Sequence, residues 1–282
     1  MVEEGLPGIQ PASSGLVLDR ISFGYNGVKV LEDIRLEIGE GEFLSLLGPS
    51  GSGKSTMLRL IAGIETPSGG RILCRGEAVA GPGIDRGMVF QDYSLFPWMT
   101  LIENITLAIS KTNRKVSKRE QRTLAGEYLA MVGLAGLGGK YPFELSGGMQ
   151  QRVAIARALA LGSPFLLMDE PFGALDPLNR AKLQDLLIEI WSCSDPPKTV
   201  VFVTHDMDEA LYLGDRVVVL GSLPGRIIGK LDVDFSRPRS RKAYLTAPEF
   251  QVLRDHVLDL LRHYAIERLQ ADETVKSIGE GI

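Results

Sequence analysis

Residues 48–55 read Gly-Pro-Ser-Gly-Ser-Gly-Lys-Ser, a spacing suited to holding a phosphate chain. Gly48, Gly51 and Gly53 let consecutive backbone N–H groups turn inward around an anion, with Pro49, Ser50 and Ser52 completing the loop. Lys54 can reach terminal phosphates as a point charge. Ser55 offers a hydroxyl to Mg²⁺, and Thr56 offers another to phosphate. The chemistry implied is binding of a nucleoside triphosphate. The motif by itself names no job for it.

Two further groups bear on that chemistry. Asp169-Glu170 follow the apolar run Phe165–Met168. That places two carboxylates at the C-terminal edge of a buried strand, where open α/β sheets bind ligands. Asp169 would hold Mg²⁺ through water, opposite Ser55, and Glu170 would polarise the attacking water as general base. Separately, Leu145-Ser-Gly-Gly-Met-Gln-Gln-Arg152 opens a helix. Ser146 is a good N-cap, and Gly147 and Gly148 expose N–H groups at a second anion-binding helix start. The chain therefore carries two phosphate-type helix tips but one lysine-bearing loop.

The elements that must position these groups are legible as pattern. Leu16–Leu18, Val28–Leu31 and Ile34–Ile38 alternate with glycine turns and read as strands of an antiparallel sheet. Phe43–Leu47 is a continuous apolar run leading into the glycine-rich loop. A helix follows, with Met57, Leu58, Leu60, Ile61 and Ile64 as its buried face. Gly87–Phe90, Phe165–Met168, Thr199–Val203 and Arg216–Leu220 read as further buried strands separated by helices. That alternation predicts an α/β fold with a mostly parallel sheet covered on both faces. Residues 92–150 are mostly helical, as in Lys118–Gly133, and read as an inserted subdomain. Residues 1–15 read as a loose tail and 236–242 as a connector. Pro248–Leu269 reads as an amphipathic helix, with Phe250, Leu253, Val257, Leu260, Leu261 and Tyr264 on one face and a frayed end beyond it.

Composition bounds the alternatives. The 282 residues carry a formal net charge of −4, so no global basic field argues for nucleic acid. Cys74 and Cys193 lie in no ligand-like cluster, which disfavours a disulfide framework or zinc site and suits a reducing compartment. No apolar run reaches the roughly 18 residues of a membrane span, so a membrane role would come through a partner. The N-terminus, with Glu3 and Glu4, does not read as a signal peptide.

In this order, the motifs resemble those of ABC-type ATPases, along residues 16–235. Gly48–Ser55 is similar to Walker A, Leu145–Arg152 to the signature motif and Phe165–Glu170 to Walker B. The resemblance implies that Tyr25 stacks on adenine. Gln91 would be the Q-loop glutamine that senses Mg²⁺ and the attacking water. Ala174-Leu175-Asp176 would form the D-loop, and His205 would be the switch histidine at the γ-phosphate. It further implies a P-loop (RecA-like) fold that hydrolyses ATP with Mg²⁺ in a head-to-tail dimer, with itself or a close relative. In that dimer Ser146, Gly147, Gly148 and Gln150 of one copy, with Asp176, complete the nucleotide site of the other. Permease subunits in the membrane, indirectly a solute-binding protein, and peripheral placement at the cytoplasmic face of the inner membrane follow from the same resemblance.

Tyr93–Leu101, containing Phe96-Pro97-Trp98, reads either as a buried hinge or as a groove for a short permease helix. This tripeptide, the Arg-Pro-Arg of the connector and the C-terminal helix resemble the importer subgroup for nitrate, sulfonate, taurine and related solutes. Lipid or efflux systems share the motor. A soluble, non-transport ABC ATPase would carry two fused cassettes, a long coiled-coil insertion or a strongly basic face, which the sequence lacks. Arg237, Arg239, Arg241 and Lys242 lie near Asp232, Asp234 and Glu249 and read as a solvated connector, not as a nucleic-acid or lipid patch.

Overall fold

In the computed structural model, residues 14–279 are described, apart from 113–114, 174, 238, 240, 242–243 and 245. The expectation of a loose tail falls almost entirely outside this range, as do Ala174 and Lys242.

Two sheets organise the described residues. β1 (Ser14–Tyr25), β2 (Val28–Gly39), β4 (Gly69–Cys74) and β5 (Glu77–Ala78) form an antiparallel sheet in the order β2-β1-β4-β5. The second sheet has the order β10-β9-β3-β8-β7-β6. Its members are β3 (Phe43–Leu47), β6 (Arg86–Val89), β7 (Phe165–Asp169), β8 (Thr199–Thr204), β9 (Arg216–Leu220) and β10 (Ile227–Asp232). All of its pairings are parallel except β9–β10. The fold is thus α/β, mostly parallel with an antiparallel edge.

Strand alternation divides the interior. On β3, Phe43 and Leu47 join a core with Phe172, Phe202, Leu183 and Leu187. Leu44 and Leu46 point the other way, into a core with Met57, Leu58, Ile61, Leu16 and Ile34. Every residue of β3, β7 and β8 is buried, as a sheet covered on both faces requires. α1 (Lys54–Ala62) covers one face. α4 (Gly147–Ala160), α5 (Pro177–Ser192) and α6 (Met207–Leu213) cover the other. A third core joins α2 (Leu101–Thr112), α3 (Lys118–Met131) and one side of α4 through Leu101, Ile105, Leu129, Val153 and Ala156.

Several expectations change. The short strands read over residues 16–38 are two long ones, joined at Asn26-Gly27. Both residues have positive φ (49° and 83°), the pairing that a tight right-twisting hairpin favours. Ile64 is exposed, because α1 stops at Ala62 on a left-handed Gly63 cap. β10 had no sequence signal. The C-terminal helix, α7, runs Pro248–Gly279, past the expected Leu269 and through the stretch read as frayed.

The connector arginines are not solvated. Arg237 stacks 4.5 Å from the Trp191 ring and pairs with Asp215. Arg239 is buried and donates to the carbonyls of Leu211, Tyr212, Gly214 and Val233. Arg241 lies 4.2 Å over Tyr212 and pairs with Asp185. Planar guanidinium groups suit such stacking while satisfying carbonyls at the end of α6.

Candidate active site

Strand order places the chemistry. β3, β8, β7 and β6 are consecutive neighbours running in parallel, so their C-terminal ends share one edge. The register pairs Leu47 with Thr204, Asp169 with Val203 and Met168 with Val89. The Gly48 loop, His205, Glu170 and the segment bearing Gln91 therefore all leave the sheet on the same side.

The loop is built around its lysine. Gly53 takes φ 88° at the N-cap of α1, and a Cβ there would meet Leu31 Cδ2 at 2.6 Å, so only glycine fits. Lys54 is buried and donates through Nζ to the carbonyls of Gly48 (2.8 Å) and Pro49 (2.9 Å), filling the cradle from within. Burial pushes its pKa down, opposed by the charges of Glu170 and Asp169. Ser55 Oγ donates to Asp169 Oδ1 at 2.8 Å. Burial pushes the Asp169 carboxyl up, the Ser55 hydrogen bond pulls it back, and neighbouring Glu170 adds to the rise. A half-buried hydroxyl and a buried carboxylate, both hard oxygen donors, beside a desolvated lysine fit a divalent cation of the Mg²⁺ kind.

Glu170 sits at φ 43°, in the left-handed region, with its N–H donating to Val203 O at 3.1 Å. This strained turn carries its carboxylate to His205, whose Nδ1 lies 3.1 Å from Glu170 Oε2. Lys54, Ser55, Asp169, Glu170 and His205 are thereby joined within one chain. Ser50 and Pro49 are exposed on the loop, and Thr56 is half-buried one residue beyond Ser55. Tyr25 lies at the hairpin end, edge-on to Phe23, with its hydroxyl 3.3 Å from Glu65 just past α1.

The second helix tip is not part of this cluster. Ser146 and Gly147 are exposed, and Ser146 Oγ accepts from Met149 N–H at 3.4 Å. Gln150 donates to Leu145 O. Among the described residues no hydrogen bond or ion pair joins 146–148 to the Gly48–Thr56 loop. Asp176 caps α5 through Asn179 N–H, a bond that also lowers its pKa.

Sequence reasoning missed the residues that hold these loops. Asn104 is buried and exchanges hydrogen bonds with Phe96, and it also donates to Met99 and Thr100 carbonyls. Arg157 donates to Tyr93 and Ser94 carbonyls. Together they fix the segment after Gln91, leaving Trp98 70% exposed. That segment is anchored but open, not a buried hinge. Glu209, buried, accepts from Gln184 and Thr204 behind His205. Arg157 lies 63 and 64 residues from Ser94 and Tyr93, and Gln184 25 from Glu209, so no local signal marked those pairs.

Residues 31–173 match the model of the ABC transporter family. The chain is 50% identical over 82% of its length to the nitrate import ATP-binding protein of Synechococcus elongatus, but spans only 35% of that protein. It is 42% identical to the bicarbonate transport ATP-binding protein CmpD of a Synechocystis strain, covering 90% of this chain and 92% of that one. Among solved structures it is similar to the dimeric post-hydrolysis state of an ATP-binding cassette bound to ADP and Pi. There the TM-score is 0.69 at 35% identity, over 78% of this chain and all of that one.

Proposed function

The chain belongs to the ABC transporter family, and from that premise we propose how its residues perform ATP hydrolysis and what the hydrolysis drives. The chain is an ATPase, the motor subunit of an ABC-type importer. The observation that carries the reading is the convergence of Lys54, Ser55, Asp169, Glu170 and His205 on one sheet edge.

In this reading the Gly48–Thr56 loop takes the phosphates of ATP, with Lys54 Nζ moving from the Gly48 and Pro49 carbonyls to the β- and γ-phosphates. Ser55 and Asp169 would hold Mg²⁺, with Gln91 reaching it from β6; the ion supplies charge neutralisation on the phosphates. Glu170 accepts the proton of the attacking water, and its strained turn holds the carboxylate in place. His205, hydrogen-bonded to Glu170, contacts the γ-phosphate. Tyr25 stacks on the adenine.

The exposed tip at Ser146, Gly147, Gly148 and Gln150, with Asp176, closes over the nucleotide of a second copy or a close relative. Closure on ATP and opening after hydrolysis make a two-state element biased by nucleotide. Trp98, exposed and packed against half-buried Phe96 in the segment after Gln91, offers an apolar surface suited to a permease helix. A solute-binding protein acts through the permease. The names of the two relatives, nitrate import and bicarbonate transport, support a small anion such as nitrate; a sulfonate- or taurine-type solute rests on the sequence resemblance alone. The motor then works from the cytoplasmic face of the membrane.

Glu170→Gln tests the assignment. Turnover falls by about 10²- to 10⁴-fold while ATP binding is retained; undiminished phosphate release removes Glu170 from the role. The tagged chain, purified from detergent extracts, brings down a multi-span membrane protein. Recovery with ribosomes or nucleic acid alone would end the transport reading.

A further inference from the structure

Behind His205 two helices are tied together twice. Asp176 caps α5, and in the first turn of that helix Arg180 reaches both ways: Nη2 donates to Leu175 O (3.4 Å) and Nη1 to Asp206 Oδ2 (3.3 Å). One turn further on, Gln184 Nε2 donates to Glu209 Oε1 at 2.6 Å. Asp206 and Glu209 stand three apart at the start of α6. Asp206 Oδ1 caps that helix by accepting from Glu209 N–H. Thr204 Oγ1 donates to Glu209 Oε2 and accepts from Asp206 N–H. His205 lies between Thr204 and Asp206, so each chain neighbour of the histidine is held by a bond leading back to α5.

The two ties differ in kind. The Gln184–Glu209–Thr204 cluster is buried and closely bonded. The Arg180 tie is half-exposed and longer, and its Nε has no hydrogen-bond partner among the described residues. A tight buried hinge beside a loose charged link is the arrangement expected where one end must shift and the other must not.

We propose that Arg180 is a positioning residue that couples the Leu175–Asp176 turn to His205: through Asp206 it sets where the histidine stands against Glu170. It touches neither substrate nor Glu170. When a second copy moves the Leu175–Asp176 turn, the guanidinium carries that movement to Asp206 and hence to the His205–Glu170 contact. This inference rests on the proposed roles of Glu170 and His205.

The test is steady-state ATP turnover by the full chain for wild type, Arg180→Ala, Arg180→Lys, Asp206→Asn and the double variant R180A/D206N. Asp206→Asn removes the charge that Arg180 meets and keeps an oxygen to cap α6. Each of R180A and D206N lowers kcat by about five- to tenfold, with KM for ATP unchanged within about twofold. The double variant is no slower than the slower single, because both act on one link. Arg180→Lys, which restores a cation opposite Asp206, recovers kcat to within about twofold of wild type. Three outcomes would overturn the proposal: multiplied losses in the double variant, a rise in KM at constant kcat, or no rescue by lysine while the melting midpoint is unchanged. If R180A fails to fold, the comparison of R180K and D206N with wild type decides. Absence of turnover in wild type would defeat the ATPase reading itself, a result distinct from any of these.

Discussion

The helix tips at Gly53 and Ser146 make the same physical offer, free N–H groups and a helix dipole, in opposite states of readiness. At Gly53 everything is assembled. A buried lysine rests on its own loop, a hydroxyl bonds a buried carboxylate, and a strained glutamate meets a histidine. At Ser146 there is a long capping bond and exposed backbone, and among the described residues no hydrogen bond or ion pair joins a charged side chain to it. In the proposed function the first tip serves the chemistry and the second meets another copy. An anion held at Gly53 would displace the lysine from its carbonyls, whereas no side-chain ion pair would have to break at Ser146 among the described residues.

The largest expected contrast between the tips is in nucleotide affinity. Lys54→Ala removes a charge-assisted contact and leaves two carboxylates facing the loop, weakening ATP binding by about 10- to 100-fold in equilibrium titration. Ser146→Ala leaves ATP binding by the isolated chain unchanged within about twofold. Equal losses from both substitutions would erase the distinction.

A smaller effect separates capping from phosphate contact at Ser146. Ser146→Ala costs about 0.5–1 kcal/mol of stability by chemical denaturation, since a solvent-exposed cap bond of this length lies at the weak end. Ser146→Asp costs less than that, because aspartate caps as well as serine, yet it sets a negative charge where a phosphate would dock. If Ser146→Asp destabilised the fold more than Ser146→Ala, the tip would be structural first.

The smallest effect lies away from both tips. Burial pushes the Tyr212 and Tyr244 phenols up to about 12, Tyr212 helped by its hydrogen bond to Asp185. A folded pKa raised above the unfolded value of 10.0 contributes stability that is whole below pH 10 and is lost as pH rises toward about 12. The alkaline limb of a melting series therefore falls across that window, and Tyr212→Phe makes it shallower while Tyr244 still contributes. A limb unchanged by the substitution would remove Tyr212 as its source.

The unequal readiness of the tips also bears on what could be read from the sequence. β3, its loop and α1 were legible because an uninterrupted apolar run, a fixed glycine spacing and a helical period agree locally. The approach of His205 to Glu170 depends on β7 and β8 being neighbours, which periodicity could not show. β10 escaped because Gly229 interrupts it. A Cβ there would meet Leu260 Cδ1 of α7 at 2.4 Å, so a larger residue would have to move that side chain. The connector misled for a chemical reason. A run of arginines reads as solvated when each charge is judged alone, but Trp191, Tyr212 and the carbonyls ending α6 supply faces and acceptors that lie far off in sequence. Arg180 and Glu209 were invisible for the same reason.

The central claim is that the Lys54 site of one copy is completed by the Ser146 tip of another. Light scattering on two full-length chains tests it most directly, both at saturating ATP and Mg²⁺. Glu170→Gln, which binds ATP without turning it over, is expected at twice the chain mass. Glu170→Gln with Ser146→Asp is expected at the chain mass, with its ATP affinity intact. A Glu170→Gln chain that stays single when saturated with ATP, or a double variant that still pairs, would contradict the account.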